Sequence, residues 1–325
     1  MRAAGGRYGR LGAFALALAL TGAAFAAAPA AAPVRAIVSG TAHQALFAIA
    51  LDGRQGIAVG AGGALLESAD AGASWKPSAK PLTELSLLGA ALCQGRAVLV
   101  GQQGLIFARH ADGAAWAKAD SGTQNRLFAV RLNAKGFAVA VGAFGTVLKS
   151  EDGGAHWQAA APSWVTIMPQ GEEPHLYAAD IDDAGIMTIA GEFGLILRSA
   201  DGGASWKVLH KGEASIFAFD FRADGVGYAV GQSGALLRTV DRGQAWTELA
   251  SGTQALLLGV SAGSDGRVVV TGMHDMLVSG DDGKSWQHVA DPEVMTAWYQ
   301  GVARAASSPA PLAVGHAGQI IAVGN

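Results

Sequence analysis

The sequence predicts an all-β fold, a seven-bladed β-propeller of four-stranded blades closed by an N-terminal strand that completes the last blade. Three observations predict it. An eight-residue motif ending in tryptophan returns about every 40 residues. A short apolar run ending in glycine precedes each copy. The final unit lacks its outer strand, and a matching segment stands at the other end of the chain.

Taken from the N-terminus, Arg2, Arg7 and Arg10 open the chain, an Ala- and Leu-rich run extends from Leu11 to Phe25, and Ala24-Phe25-Ala26 offers a small-x-small cleavage site. That order is the pattern of a secretory signal peptide, here residues 1–26. The run of about 15 residues is shorter than the roughly 20 that a membrane span needs. The expected mature chain, residues 27–325, keeps 20 Lys and Arg against 26 Asp and Glu once the three leader arginines are removed. A charge near −6 argues against nucleic acid or an anionic membrane surface as partner. No later stretch reaches 18 uninterrupted apolar residues, so no membrane insertion is expected after cleavage. Cys93 is the one cysteine, which excludes an intramolecular disulfide and a cysteine-based metal site.

The repeat organises everything downstream. Residues 68–75 read Ser-Ala-Asp-Ala-Gly-Ala-Ser-Trp, and the pattern S-x-D-x-G-x-x-W returns at 150–157, 199–206 and 279–286. A copy opening on Thr stands at 239–246, and a worn one at 109–116 keeps Gly113 and Trp116. The six tryptophans are 41, 41, 49, 40 and 40 residues apart. Before each box comes a glycine-ended run, at Gly60, Gly101, Gly142, Gly191, Gly231 and Gly272, with a seventh at Gly315. Before that lies another apolar run, such as residues 46–49, 127–130 and 257–260. Short apolar segments separated by Gly and Asp turns, about 40 residues per unit, match a propeller blade. In the boxes Asp70, Asp152, Asp201, Asp241 and Asp281 are read as holding hairpins, since Asp and Ser side chains cap their own turns. Trp75, Trp157, Trp206, Trp246 and Trp286 are read as covering those turns.

The seventh unit stops after the strand at 319–323. Residues 34–41, Val-Arg-Ala-Ile-Val-Ser-Gly-Thr, resemble 117–123 and 247–253, each of which follows a box tryptophan. Residues 34–39 are therefore expected to supply the outer strand of blade seven and to remove an open sheet edge.

Strand alternation sorts the loops by face. The turns after each glycine and the connections between blades share one side, and loops carry function more often than cores. On that side stand Phe144, Glu192, Phe193, Gln232, His274 and His316. The long spacing marks an insertion within 162–175 that holds Trp164, Met168, Glu172 and His175, and a second elaborate connection holds Trp298 and Tyr299. Large apolar residues there suit protein or peptide contacts, so these twelve form the expected partner-binding face.

The glycine motif before S-x-D-x-G-x-x-W, repeated on a seven-unit ring behind a leader, resembles the Ycf48/Hcf136-like proteins among the BNR/Asp-box propellers. The resemblance covers residues 34–325. It implies an exported, non-catalytic binding protein, acting in the periplasm or a thylakoid lumen-like compartment, that assists assembly or stability of a membrane protein complex. In photosynthetic organisms that complex is photosystem II. The family's arginine patch finds only scattered counterparts at Arg126, Arg131, Arg198, Arg222 and Arg238. The expected partners are envelope or membrane complex subunits, to a monomeric chain with no cofactor, metal or catalytic residue. The alternative is a sialidase- or glycanase-like Asp-box glycoside hydrolase, with Glu172 and Glu192 as the carboxylate pair. No Arg-Ile-Pro motif accompanies Tyr177, Tyr228 and Tyr299. A third reading takes His274 and His316 as matching turn positions of adjacent blades that hold a metal or small ligand, without a third ligand.

Overall fold

The computed structural model describes Met1 and residues 34–168, 170–305 and 310–324. The leader reading, Met1 aside, lies outside the described residues. The chain divides into the unit Met1–Ala30 and the unit Ala31–Asn325, and the second holds the propeller.

Seven antiparallel four-stranded sheets follow one another. Blade one runs from its innermost strand Leu46–Asp52 through Gln55–Gly60 and Leu65–Ser68 to the two-residue outer strand Lys76–Pro77. Second strands such as Ala138–Gly142 and Val268–Gly272 are buried at every residue, and Gln55–Gly60 and Arg96–Gly101 at all but their first. Sheets stacked on both faces demand unbroken apolar runs, which is why these segments show no alternation.

Blade seven consists of Tyr299–Ala303, Leu312–Gly315 and Ile320–Val323, with Val34–Val38 as its outer strand. Val34 pairs with Val323, Arg35 with Ala322, Ala36 with Ile321 and Val38 with Ile320. The closure expected from the sequence is the observed one.

The core is seven apolar clusters, each spanning two neighbouring sheets. Trp75 packs into the cluster of blades seven and one, Trp157 into that of two and three, and Trp206 into that of three and four. Blade seven has no box tryptophan, and Val34 of the closing strand packs in the corresponding cluster. The boxes hold their turns as a hydrogen-bonded unit. Ser68 Oγ donates to Asp70 Oδ1 (2.8 Å), accepts from the Gly72 N–H (2.9 Å), and Trp75 Nε1 donates to Gly72 O (3.0 Å). The hydroxyl's bonds to Asp and to the glycine N–H recur at Ser150, Ser199, Thr239 and Ser279, while the indole bond to the glycine carbonyl recurs at Trp157, and Trp206 Nε1 donates instead to Ala160 O (2.9 Å). The side-chain hydrogen bonds from Ser74, Ser205 and Ser285 bring Asp70, Asp201 and Asp281 down to about 2. Burial pushes Asp152 the other way, and bonds from His156 and Ser150 outweigh it.

On the side of the boxes, polar contacts join neighbouring blades. The Gln94 N–H donates to Asp52 Oδ2 (2.6 Å), Asn133 Nδ2 to Asp182 O (2.7 Å), Arg198 Nη1 to Arg242 O (2.6 Å) and Arg304 Nη1 to Asp265 Oδ1 (2.8 Å). Arginines that looked scattered in sequence, Arg198 and Arg222, therefore stitch blade four to five and five to six. The opposite side, here called the upper face, carries the connections between blades.

The candidate ligand face

The recurrent glycine has a steric cause. At Gly60 an added Cβ meets Ala45 O at 1.9 Å, at Gly142 it meets Arg126 O at 2.2 Å, and at Gly231 it meets Ser215 O at 1.9 Å. That carbonyl accepts the N–H just after the glycine, as in Ala143 to Arg126 O (2.8 Å) and Gln232 to Ser215 O (2.9 Å). The lock recurs in all seven blades and clamps each upper turn onto the start of its innermost strand.

Just past this lock every innermost strand carries a β-bulge. The register skips one residue between Leu46 and Ala48, Leu87 and Gly89, Leu127 and Ala129, and Leu176 and Ala178. It skips again at Ile216/Ala218, Leu257/Gly259 and Tyr299/Gly301. A bulge leaves one residue unpaired and re-aims its side chain. The unpaired residues are Phe47, Leu88, Phe128, Tyr177, Phe217, Leu258 and Gln300, and all seven line the central channel, a cavity of about 910 Å³. The residue after each is Ala or Gly, and at Gly89 and Gly301 the backbone of the next blade lies about 3.1 Å from where a Cβ would be. Small residues there let the seven strands converge.

The mouth of the channel is aromatic over blades three to five. Tyr177 lies 5.5 Å from Phe128 and 5.2 Å from Phe217 between ring centroids, and His175 lies 5.0 Å edge-on to Phe144. Glu192 organises this group. Its Oε2 accepts from the His175 N–H (2.8 Å) and its Oε1 from the Tyr177 hydroxyl (3.4 Å). Burial, and then the Glu192 charge, push Tyr177 up to about 12. On the far rim Trp298 stacks on Phe47 at 6.0 Å with its edge toward His316 at 6.3 Å. Deeper on the innermost strands stand Arg131, Asp180 and Asp220. Burial raises both aspartates, and Arg131 opposes the rise.

Of the twelve expected face residues, Phe144, Phe193, Gln232, His274 and His316 are exposed on the upper turns. Glu172, His175, Glu192 and Trp298 are half-buried there. Phe144 (φ 51°) and Phe193 (φ 58°) sit in the left-handed region, which is unusual for a bulky side chain. Three placements are corrected. Trp164 and Met168 are each only 8 % exposed. They lie in a short helix and its cap that fold inward, with Trp164 Nε1 donating to Gly145 O (3.0 Å) and the indole in the core of blades three and four. Tyr299 is fully buried, its hydroxyl donating to Gln319 Oε1 (2.9 Å). His274 and His316 do not match either. His274 is the second turn residue, at φ 60°, while His316 is the first of its turn and lies beside Trp298. Sequence reasoning missed Phe47, Phe128, Tyr177 and Phe217 as a set. The available signal was an aromatic in the second place of four of the seven innermost apolar runs.

Fold and site define the class: an Asp-box (BNR) repeat propeller with an aromatic channel mouth among its inter-blade loops. Residues 108–214 match the family model described as Photosynthesis system II assembly factor YCF48. Over that third of the chain the sequence resembles the Ycf48 repeat proteins. No curated protein matches it significantly in sequence. Among solved structures it is similar to YCF48 from Cyanidioschyzon merolae, at 18 % identity and TM-score 0.71 over 90 % of this chain and 99 % of that one. It is similar to YCF48 bound to D1 peptide, at 16 % identity and TM-score 0.70 over 90 % and 95 %. A GH74 xyloglucanase from Xanthomonas campestris shares the fold at 14 % identity and TM-score 0.70 over 90 % of this chain and 54 % of that one. At these identities the likeness is one of fold.

Proposed function

We propose that the chain is an exported, monomeric, non-catalytic binding protein that holds a segment of a membrane-complex subunit on its upper face and so assists assembly or stability of that complex. The observation that carries this reading is the aromatic mouth formed by Phe128, Tyr177 and Phe217. The match over residues 108–214 and the similar protein bound to D1 peptide support it. In a photosynthetic host the partner is a photosystem II subunit. In other bacteria it is a subunit of an envelope complex met in the periplasm. Glu192, one of the two carboxylates a hydrolase would need, is engaged in positioning His175 and Tyr177.

The test is a crosslinked pull-down of the mature protein from its host's envelope, compared with a Phe128→Ala, Phe144→Ala, Phe217→Ala variant. Complex subunits recovered by the wild type and lost by the variant support the reading. Equal recovery by both, or no specific partner for either, overturns it and makes a glycan-hydrolysis screen the next step. N-terminal sequencing of the exported protein, expected to start near Ala27, tests the leader.

A further inference from the structure

The partner-binding reading leaves the chemistry of the bound segment open, and the upper face carries information about it. Aromatic rings present a negative face, which attracts cations within about 6 Å of the ring centroid, Lys and Arg side chains above all. At the channel mouth Phe128, Tyr177 and Phe217 stand on three successive blades, with Phe144 and the Glu192 carboxylate beside them. Glu192 accepts one N–H and one long hydroxyl bond, which leaves part of its acceptor capacity open. The cation–π contacts among the described residues, Arg109 with Trp116 and Arg238 with Tyr228, lie elsewhere.

The surrounding charge has the same sign. The upper loops hold three Lys and Arg (Lys80, Arg126, Lys211) against nine Asp and Glu. Lys211 is already engaged, its Nζ donating to Ile167 O at 2.7 Å. Glu172, on the insertion beside His175, has its Oε2 enclosed and without a hydrogen-bond partner among the described residues. Arg131 is the cation of the next layer down, and Asp180 and Asp220 share that layer with it.

We propose that the mouth over blades three to five is a cation site that receives a lysine or arginine side chain from an otherwise apolar segment of the partner. This rests on the partner-binding reading and specifies its ligand. The side chain's ammonium or guanidinium lies against Phe128, Tyr177 and Phe217, with the Glu192 carboxylate as counter-charge. Its methylene stem covers the apolar rim, as long cationic side chains do.

The experiment measures the affinity of the mature chain for four fluorescent peptides of Ala, Val and Gly that differ only in a central Lys, Arg, Gln or Glu. The Lys and Arg peptides are expected to bind about tenfold more tightly than the Gln peptide, and the Glu peptide least well. Phe217→Leu keeps the apolar volume and removes the ring, while Glu192→Gln removes the charge, its amide oxygen still able to accept the His175 N–H and its NH2 able to donate to the Tyr177 hydroxyl. Each is expected to cut the Lys-over-Gln preference several-fold at unchanged melting temperature. If all four peptides bind alike, the chain binds peptide but the cation site is wrong. If the Glu peptide binds best, the charge assignment is reversed and wrong. If no peptide binds at any charge, the partner-binding reading itself falls, and the proposal with it.

Discussion

Remove residues 34–39 and blade seven loses its outer strand. The cost follows from the contacts described. Four backbone positions pair along Ile320–Val323, and at about 1 kcal/mol net per ladder hydrogen bond they contribute roughly 3–4 kcal/mol. Val34, Ile37 and Val38 are half-buried against the flanking clusters, and at about 1 kcal/mol each they add roughly 3 kcal/mol more. A loss near 6 kcal/mol is a large part of the roughly 5–15 kcal/mol that stabilises most domains. At about 2–4 °C per kcal/mol it predicts a melting temperature lower by roughly 12–24 °C. The loss also bares a fully buried apolar strand as a sheet edge, so the variant should aggregate on heating. Scanning calorimetry compares a chain starting at residue 34 with one starting at residue 40. A synthetic peptide of residues 34–41 added to the shorter chain should restore part of the difference by mass action. Equal melting of the two chains, with no response to the peptide, would show that the strand does not close the ring.

The other predictions divide structure from binding. Trp164→Ala should lower stability by about 3–5 kcal/mol through loss of a buried indole, read by denaturant unfolding; a variant as stable as wild type would return Trp164 to the surface. Gly231→Ala puts a Cβ 1.9 Å from Ser215 O and should cost about 2–3 kcal/mol by forcing backbone apart, again read by unfolding; no loss would refute the steric account of the motif. Phe144→Gly relieves a left-handed φ of 51° and should leave the melting temperature equal or higher while weakening partner capture; a marked fall in melting temperature would make Phe144 structural. For pH, the folded Asp70, Asp201 and Asp281 titrate near 2, below their ordinary value of 3.8. Their stabilisation is present above about 4 and is lost as pH falls toward 2. The melting temperature should drop across that window, with a shallower drop in the triple Asp→Asn variant, and an identical slope would refute the box-turn account.

The repeat was legible because its turns need particular residues: a Ser or Thr and an Asp to bond the hairpin, and a glycine where a Cβ would strike a carbonyl. Closure was legible because residues 34–41 share their Ser-Gly-Thr exit with two other outer strands, at 121–123 and 251–253. The bulges were not, because an inserted residue changes register without changing composition, and Phe47 or Phe128 inside an apolar run looks like core. Burial of Trp164, Met168 and Tyr299 was hidden for a related reason. A large apolar residue in a connection reads the same whether the loop folds inward or outward. The link from Glu192 to His175 and Tyr177 crosses between separate strands and turns, and no local pattern encodes such a meeting.

The seven bulges carry an evolutionary consequence. A residue outside the ladder, pointing into the channel, is released from strand pairing, one of the demands that fix most positions in this chain. Its identity can drift at little cost to the ring. Phe, Leu, Tyr and Gln already coexist at this one place across the seven blades, while the residue before it stays large and apolar and the one after it stays Ala or Gly. The mouth thus behaves as seven separately adjustable settings on an invariant frame. Relatives of the same architecture can then differ completely in what they hold, and specificity is best compared among them at those seven positions.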